Sequence, residues 1–326
     1  MSPLDGNDPV SPGHRGPLVE SIFVKLTAPA GDRALWLRWT FLLCPPAPPR
    51  AELWAVAFTR GRAPRAAKRS APALPEAVSR VPWRVSFGGS HYDGARTAGE
   101  VTAGAVSIHW ELALTPRLGL LQPYPYPWMY RSPVVPTKTL TPLADAVAHG
   151  AYTVDGESVA VDGWRAMQGH NWGRRHTRRY AWSHAAGFAE DPAAVFEAFS
   201  ARPAVGGREL PWLTMAFLHV DGAWLRFDGL AMAARAHTEV SLLRWDLALE
   251  HRGHRLRGTL EADPSEAAGL HYPNPTGPVT YCLNSKLARA VLDLSSPGAP
   301  ARRFTSTAAA LEIAWPFADH GVTMQG

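Results

Sequence analysis

The chain has 326 residues, a hydrophobic share of 46%, a charged share of 19% and a formal charge of +5. That is enough apolar material for one large or two medium domains, and the basic residues, scattered except around Arg60–Arg69 and Arg174–Arg179, form no stripe of the kind a nucleic-acid reader needs. Two cysteines, Cys44 and Cys282, rule out a disulfide framework and point to a reducing, cytoplasmic setting.

Residues 1–17 are Pro/Gly/Asp-rich, lack an apolar signal core and read as a disordered lead-in. Ser21–Leu26 alternates in a strand-like way, turns at Pro29–Asp32, and returns as Ala34–Leu43, an apolar strand interrupted by Arg38. Glu52–Thr59 is a further strand, ending in a basic turn at Arg60–Arg62. Ala71–Arg80 reads as a short helix or a loop. Short strands follow at Trp83–Phe87, His91–Asp93, Glu100–Thr102 and Ala105–Leu114. The Gln-Pro-Tyr-Pro-Tyr-Pro run at Gln122–Pro127 cannot be helical, because alternate prolines forbid the hydrogen-bond ladder. It reads as an extended rim or lid.

Asp155-Gly156 joins Ala151–Val154 to Ser158–Val161 as a hairpin. Beyond the central stretch come Val195–Ala201, a Gly206-Gly207 turn, Leu213–Val220, Asp221-Gly222 and Ala223–Met232. Ser241–Glu250 and His254–Glu261 turn at Arg252-Gly253, and the chain closes with Val279–Leu283, Leu287–Leu294 and Thr307–Ile313. About twenty strands with hairpin turns and almost no helical period predict an all-β protein. That is too many for one small barrel, so two are expected, with residues 18–158 in the first and 159–326 in the second. Leu35–Trp39 and Trp224–Phe227, each after a turn, form a short internal echo.

The centre of the chain, Met167–His184, holds three histidines, two tryptophans, a tyrosine and four arginines. Tyr180, Trp182 and His184 alternate with small residues, the period of a strand presenting one polar-aromatic face. Gly169 and Gly173 flank His170-Asn171-Trp172 and allow a sharp turn or the close approach of another segment. Arg174–Arg179 reads as a solvated turn.

Three segments together carry a family resemblance: Glu20–Lys25 with Ala34–Trp39, then Gly169-His170-Asn171-Trp172-Gly173, then Tyr180-Ala181-Trp182-Ser183-His184. They resemble the tandem lipocalin-like group of carotenoid 1,2-hydratase (hydroxyneurosporene synthase), AttH-like and tocopherol-cyclase-like proteins. The likeness spans roughly residues 18–315. The chain departs from the group at Gln168-Gly169, where members commonly carry an acidic residue before the central histidine. The resemblance implies two lipocalin-like (calycin-type) antiparallel barrels in tandem and a hydrophobic small-molecule ligand, such as an isoprenoid or polyketide.

The implied chemistry is hydration or cyclisation of an alkene, begun by a general acid whose pKa is raised by burial, or by a protonated histidine. Aromatic faces then stabilise the cation. His170, His184, Glu20 and Glu197 are the candidate catalytic residues. Asn171, Trp172, Tyr180, Trp182, Trp39 and Trp110 are the candidate substrate-binding residues. Trp36 and Trp39 face opposite sides of their strand, as do Glu20 and Lys25. No metal or organic cofactor is expected, since the Cys-x-x-Cys, His-Glu-x-x-His and Gly-x-Ser-x-Gly signatures and a phosphate-cradling loop are absent. Peripheral membrane contact and oligomeric state are left open, as is the alternative of a non-catalytic carrier of a hydrophobic ligand.

Overall fold

The computed structural model describes residues 7–205, 208–315, 317 and 320–325. The first half contributes β1 (Leu18–Thr27), β2 (Arg33–Leu43), β3 (Arg50–Thr59), β4 (Arg65–Pro72), β5 (Val78–Arg80), β6 (Trp83–Phe87), β7 (Ser90–Tyr92), β8 (Arg96–Ala103), β9 (Val106–Leu118), β10 (Thr137–Val154) and β11 (Glu157–Gly173). They form one antiparallel sheet in the order β4-β3-β2-β1-β11-β10-β9-β8-β7-β6-β5. It curls until β4 packs against β8 and β9, closing a barrel.

The second half supplies β12 (Tyr180–Ala186), β13 (Val195–Ala201), the small pair β14 (Ala204–Val205) and β15 (Arg208–Glu209), then β16 (Leu213–Val220) and β17 (Ala223–Phe227). A one-turn helix α1 (Leu230–Ala233) precedes β18 (His237–Ser241), β19 (Arg244–His251), β20 (His254–Glu261), β21 (Ala268–Tyr272), β22 (Thr280–Ser295), β23 (Arg302–Trp315) and β24 (Met324–Gln325). Its sheet runs β17-β16-β13-β12-β23-β22-β20-β19-β18, with β21 also on β22, and β17 packs against β19. The chain is thus two antiparallel barrels in tandem, as expected.

The two sheets share one wiring, in which β1, β2, β3 and β4 correspond to β12, β13, β16 and β17, and β11, β10 and β9 to β23, β22 and β20. The repeat therefore lies in topology. The echo between Leu35–Trp39 and Trp224–Phe227 falls on β2 and β17, which do not correspond, and carries no structural meaning.

Several expectations need correction. The boundary at residues 158 and 159 falls inside β11, and the change of sheet comes after Gly173, before β12. The hairpin Asp155-Gly156 misleads because its arms both stay in the first sheet. The expected Gly206-Gly207 turn lies outside the described residues, as do residues 1–6 of the expected disordered lead-in. The rest of that lead-in is not loose. Asn7 is fully buried, the Trp83 Nε1–H donates to its carbonyl at 2.8 Å, and Arg80 donates to the carbonyls of Pro9 and Pro12. The segment Ala71–Arg80 divides into the end of β4, a 3-10 turn at Pro75–Ala77 and β5. The expected strand Ala223–Met232 stops at Phe227, where α1 begins soon after. Cys282 is buried, while Cys44 is only partly so.

Alternation along β1 and β2 divides their side chains between two cores. Ile22, Val24, Leu26, Leu35, Leu37 and Trp39 fill the first barrel, where Trp39 stacks on Tyr92 and meets Trp110 edge-on. Phe23 and Trp36 point the other way, into a second core shared with Trp182, Leu270 and Leu287 of the other barrel. The barrels pack convex face to convex face. Arg60, from the expected basic turn, clamps them by donating to Glu266 at 2.6 Å and to the Leu287 carbonyl at 2.7 Å.

A candidate active site between the barrels

The predicted site residues fall into two buried centres, not one. The first lies inside the first barrel. The His170 Nε2 lies 2.8 Å from Glu20 Oε1 and its Nδ1 lies 3.0 Å from Asn7 Oδ1, so both ring nitrogens face oxygen acceptors. The Glu20 carboxylate also accepts from the backbone N–H groups of Val10 and Ser11. Burial pushes the Glu20 carboxyl up, but the hydrogen bond and charge of His170, with those two N–H groups, outweigh it and hold it below the ordinary value. The N-terminal segment holds both members of the pair, His170 through Asn7 and Glu20 through Val10 and Ser11, and seals the barrel end. Trp172 covers His170, with ring centroids 4.8 Å apart. Asn171 lies on the opposite face of β11. Trp39 and Trp110 are core rings whose indole N–H groups are satisfied by Ser90 and Thr97.

The second centre lies between the barrels, and bulges build it. β10 slips register twice between Leu140 and Ala146, and such irregularities re-aim side chains off the regular ladder. Thr141, the Ala144 carbonyl and Asp145 of this stretch reach the partners described below. The corresponding strand β22 slips at the matching place, between Ser285 and Ala290, and projects Lys286. From the facing side, Tyr180, Trp182 and His184 share one face of β12 as the alternation predicted. His184 stands directly opposite Glu197 on β13.

The Glu197 Oε1 accepts from the Trp182 Nε1–H at 2.9 Å and from the Thr141 hydroxyl at 2.7 Å. Its Oε2 is buried with no hydrogen-bond partner. Burial raises the carboxyl to about 7, against the pull of the Trp182 and Thr141 hydrogen bonds and the Lys25 charge. The sequence reading missed Lys25, which reaches in from β1 to lie 3.3 Å from His184 Nδ1. Its ammonium is lowered to about 7 by burial, reinforced by the charge of Lys286. The His184 Nε2–H donates to the Ala144 carbonyl at 2.8 Å. Burial and then the charge of Lys25 hold this imidazole well below its usual value. It is neutral, with Nδ1 as acceptor, and its one N–H is committed to the Ala144 carbonyl. Next to this group Asp145 pairs with Arg165 and Arg117. Farther along, Glu312 binds Lys286 at 2.7 Å, Asn284 at 3.0 Å and the Tyr180 hydroxyl at 3.3 Å.

The Tyr-Pro segment closes this side. The Tyr124 hydroxyl donates to the Thr137 carbonyl at 2.7 Å, and Arg226 of the second barrel donates to the Gln122 carbonyl at 2.7 Å. Tyr130 stacks on Trp172, with centroids 6.2 Å apart, and burial pushes its hydroxyl up, with a smaller push from the Glu197 charge. Tyr126 and Trp128 stay exposed on the outside. The neighbouring Arg174, Arg175 and Arg178 are exposed, as a solvated turn requires, whereas His176 is buried.

Two surface depressions stand out among the described residues. One, of about 510 Å³, lies on the second barrel beside His237, Asp246 and Asp293. The other, of about 500 Å³, is walled by Leu42, Cys44, Glu52 and Lys68 of the first barrel and Pro273 and Asn274 of the second. None of the predicted site residues lines either. Among the described residues no group of His, Cys, Asp and Glu is arranged to hold a metal ion, and no helix is long and apolar enough to cross a membrane.

A family model for tocopherol cyclase-like proteins matches residues 87–314. Two uncharacterised proteins of Mycobacterium tuberculosis, from strains CDC 1551 and H37Rv, are each 25% identical over 279 residues, covering 85% of this chain and 81% of theirs. Among solved structures, CghA with Sch210972 superposes with a TM-score of 0.59 at 14% identity, over 92% of this chain and 89% of that one. Kievitone hydratase from Nectria haematococca gives 0.53 at 13% identity, over 97% and 93%. A candidate AttH from Nitrosomonas europaea gives 0.54 at 14% identity, over 90% and 92%. At these identities the likeness to solved structures establishes the fold.

Proposed function

Because the chain belongs to the tocopherol cyclase-like family, we propose that it is a hydratase or cyclase that protonates an alkene of a hydrophobic isoprenoid or polyketide between its two barrels, with Glu197 as the acid. The observation that carries this reading is the division of labour within one carboxyl. Oε1 is anchored by two donors, while Oε2 is buried and unpaired. A carboxyl raised to about 7 keeps its proton in a useful fraction of molecules at neutral pH, as a general acid must.

The step needs no reactant beyond the substrate and, for hydration, one water molecule. The Oε2 proton passes to one alkene carbon and leaves a carbocation at the other. Trp182, fixed by its hydrogen bond to Glu197, offers a π face to that cation, a contribution of about 0.5 to 2 kcal/mol. Water adds to the cation, or a hydroxyl of the same substrate closes a ring. The oxygen's surplus proton returns to the Glu197 carboxylate. Lys25 and His184 hold the site in register, and the paired Glu20 and His170 seal the first barrel without joining the chemistry. Neither a metal nor an organic cofactor enters this scheme. Admission of substrate requires the Tyr124–Tyr130 segment to lift.

Supplying a panel of prenylated phenols and linear polyenes in D2O tests the reading. A turned-over substrate should carry one new C–D bond, and Glu197→Gln should abolish its formation. Full turnover by a folded Glu197→Gln variant, or a product with no C–D bond, rules the mechanism out. The carrier alternative predicts a co-purifying ligand that leaves unchanged.

A further inference from the structure

The residue that interrupts the apolar run of β2 provides a second feature of the interbarrel contact. Arg38 is 5% exposed, yet no carboxylate among the described residues lies within ion-pair distance. Its Nη2 spends both protons, one on the Ser21 hydroxyl at 2.7 Å and one on His176 Nε2 at 3.0 Å. Its Nε–H is buried with no partner. The guanidinium lies over the Tyr272 ring, 3.9 Å from its centroid. The Tyr272 hydroxyl, beside the weakly accepting Cys282 thiol, makes no ordinary hydrogen bond. His176 cannot supply the missing charge, because it is neutral: burial, then the charge of Arg38, lowers it to about 3.

A buried cation with no carboxylate in contact is expensive, even with the more distant pull of the Glu312 charge. Here a guanidinium N–H has no acceptor, and the phenol of the ring beneath it has a thiol as its neighbour. The 500 Å³ depression is lined by Pro273, which follows Tyr272 in the chain, and by Asn274, which contacts His176. Leu42 on its wall lies on the same face of β2 as Arg38, and Asn274 on the other wall holds the ring and backbone of His176 at 3.1 and 2.7 Å. In the opposite direction the same face continues to Trp36, whose ring lies 5.9 Å from the Arg38 guanidinium carbon. Phe23 links Trp36 to Trp182, at centroid separations of 6.4 and 5.6 Å, and Trp182 donates to Glu197.

We infer that Arg38, with Tyr272, binds an oxyanionic head group of the substrate, a carboxylate or an equally acidic enol, and that the apolar tail runs along Trp36, Phe23 and Trp182 toward Glu197. The substrate class is therefore an amphiphile with one delocalised oxyanion at the end of an unsaturated hydrocarbon. The tail's destination rests on the proposed role of Glu197; the head-group site does not.

The experiment is equilibrium binding of cis-parinaric acid, a fluorescent polyene carboxylate, against its methyl ester. The wild-type protein should prefer the acid by roughly tenfold to a hundredfold, the range expected for a hydrogen bond to a charged group. Arg38→Met should erase that preference while keeping ester affinity. Glu197→Gln should leave the preference intact, so a failure of the proposed chemistry is separable from a failure of this site. Equal wild-type affinity for acid and ester overturns the assignment even if no Arg38 variant folds. So does an unchanged preference in folded Arg38→Met. Displacement of the probe by a modest excess of sodium acetate also overturns it, since that makes Arg38 a site for free small anions.

Discussion

Glu197 and His184 face each other across β12 and β13 as direct cross-strand partners, yet burial drives them in opposite directions. It raises the carboxyl to about 7 and holds the imidazole well below its usual value. Below about pH 7 both are neutral, and only the carboxyl then has a proton to spare. Turnover should therefore fall as pH rises through about 7. Glu197→Gln should lose about two to four orders of magnitude in kcat, the usual worth of a positioned acid. Stability follows the same sign. A carboxyl raised in the folded state supports folding below its unfolded value of 4.5, and that support is lost as pH climbs to about 7. Chemical denaturation from pH 4.5 to 8 should show the wild type losing about 3 kcal/mol relative to Glu197→Gln. Parallel curves would rule out a raised Glu197.

Lys25 gives the converse test. Its charge pulls the Glu197 carboxyl down, so Lys25→Met should move the falling limb of the pH–rate profile to higher pH. Its own ammonium is depressed in the folded state, from 10.5 to about 7. The penalty for burying it is complete below pH 7 and fades toward 10.5, so wild-type stability should climb over that window. Lys25→Met should remove the climb and be the more stable protein near pH 6, by at most about 5 kcal/mol. A rate profile whose midpoint stays put would separate Lys25 from Glu197.

How far the sequence revealed this arrangement depended on whether a strand had one covered face or two. β9 is covered on one side, and its burial alternates strictly from Ser107 to Leu114, so period-2 reasoning found it. β1 is buried at all ten positions. One face lies in the first barrel and the other against the second, and no local pattern distinguishes Lys25 in such a strand from a solvated lysine. A compositional signal did exist. The chain has only four lysines, and Lys25 and Lys286 are both buried at the interbarrel contact. The face shared by Tyr180, Trp182 and His184 was legible from spacing. The separation of His170 from His184 was not. His170 points into one barrel and His184 between two, and that depends on where the chain changes sheet after Gly173.

His184 is a positioning residue by this account. It ties Lys25 to the Ala144 carbonyl of the β10 bulge. His184→Gln keeps an amide donor and acceptor, so it should lower kcat by less than about tenfold and leave the pH–rate midpoint near 7. A collapse as deep as that of Glu197→Gln, together with a displaced midpoint, would move His184 into the acid's role.

Gly169 permits the close approach that its place in the central motif suggested. A Cβ there would overlap the Phe23 ring, which crosses from the adjacent strand β1. Gly169→Ala should cost about 1 to 3 kcal/mol by overpacking, read as a drop in melting temperature. Phe23→Leu in the same chain should restore most of it. If the double variant melts as low as the single one, the cost lies elsewhere than in this contact.

The last test concerns Glu20 and His170, which sequence reasoning placed among the catalytic candidates. Both are buried to within 1%, and the carboxylate accepts from the Val10 and Ser11 backbone at 2.6 and 2.8 Å as well as from the imidazole. With its partners inside the barrel, the pair has nothing left to offer a substrate. Glu20→Gln takes the carboxylate away from the imidazole and from the Val10 and Ser11 N–H groups, and losing a hydrogen bond to a charged group typically costs about 1.5 to 3 kcal/mol. The sign with pH is fixed by the depressed carboxyl. Its stabilisation is present above the unfolded value of 4.5 and drains away as pH falls below it, so wild type and Glu20→Gln should converge in acid. Turnover per folded molecule at pH 7, measured well below the variant's melting temperature, should match wild type. A folded Glu20→Gln protein with turnover reduced a hundredfold would place the chemistry inside the first barrel and displace Glu197 from its role.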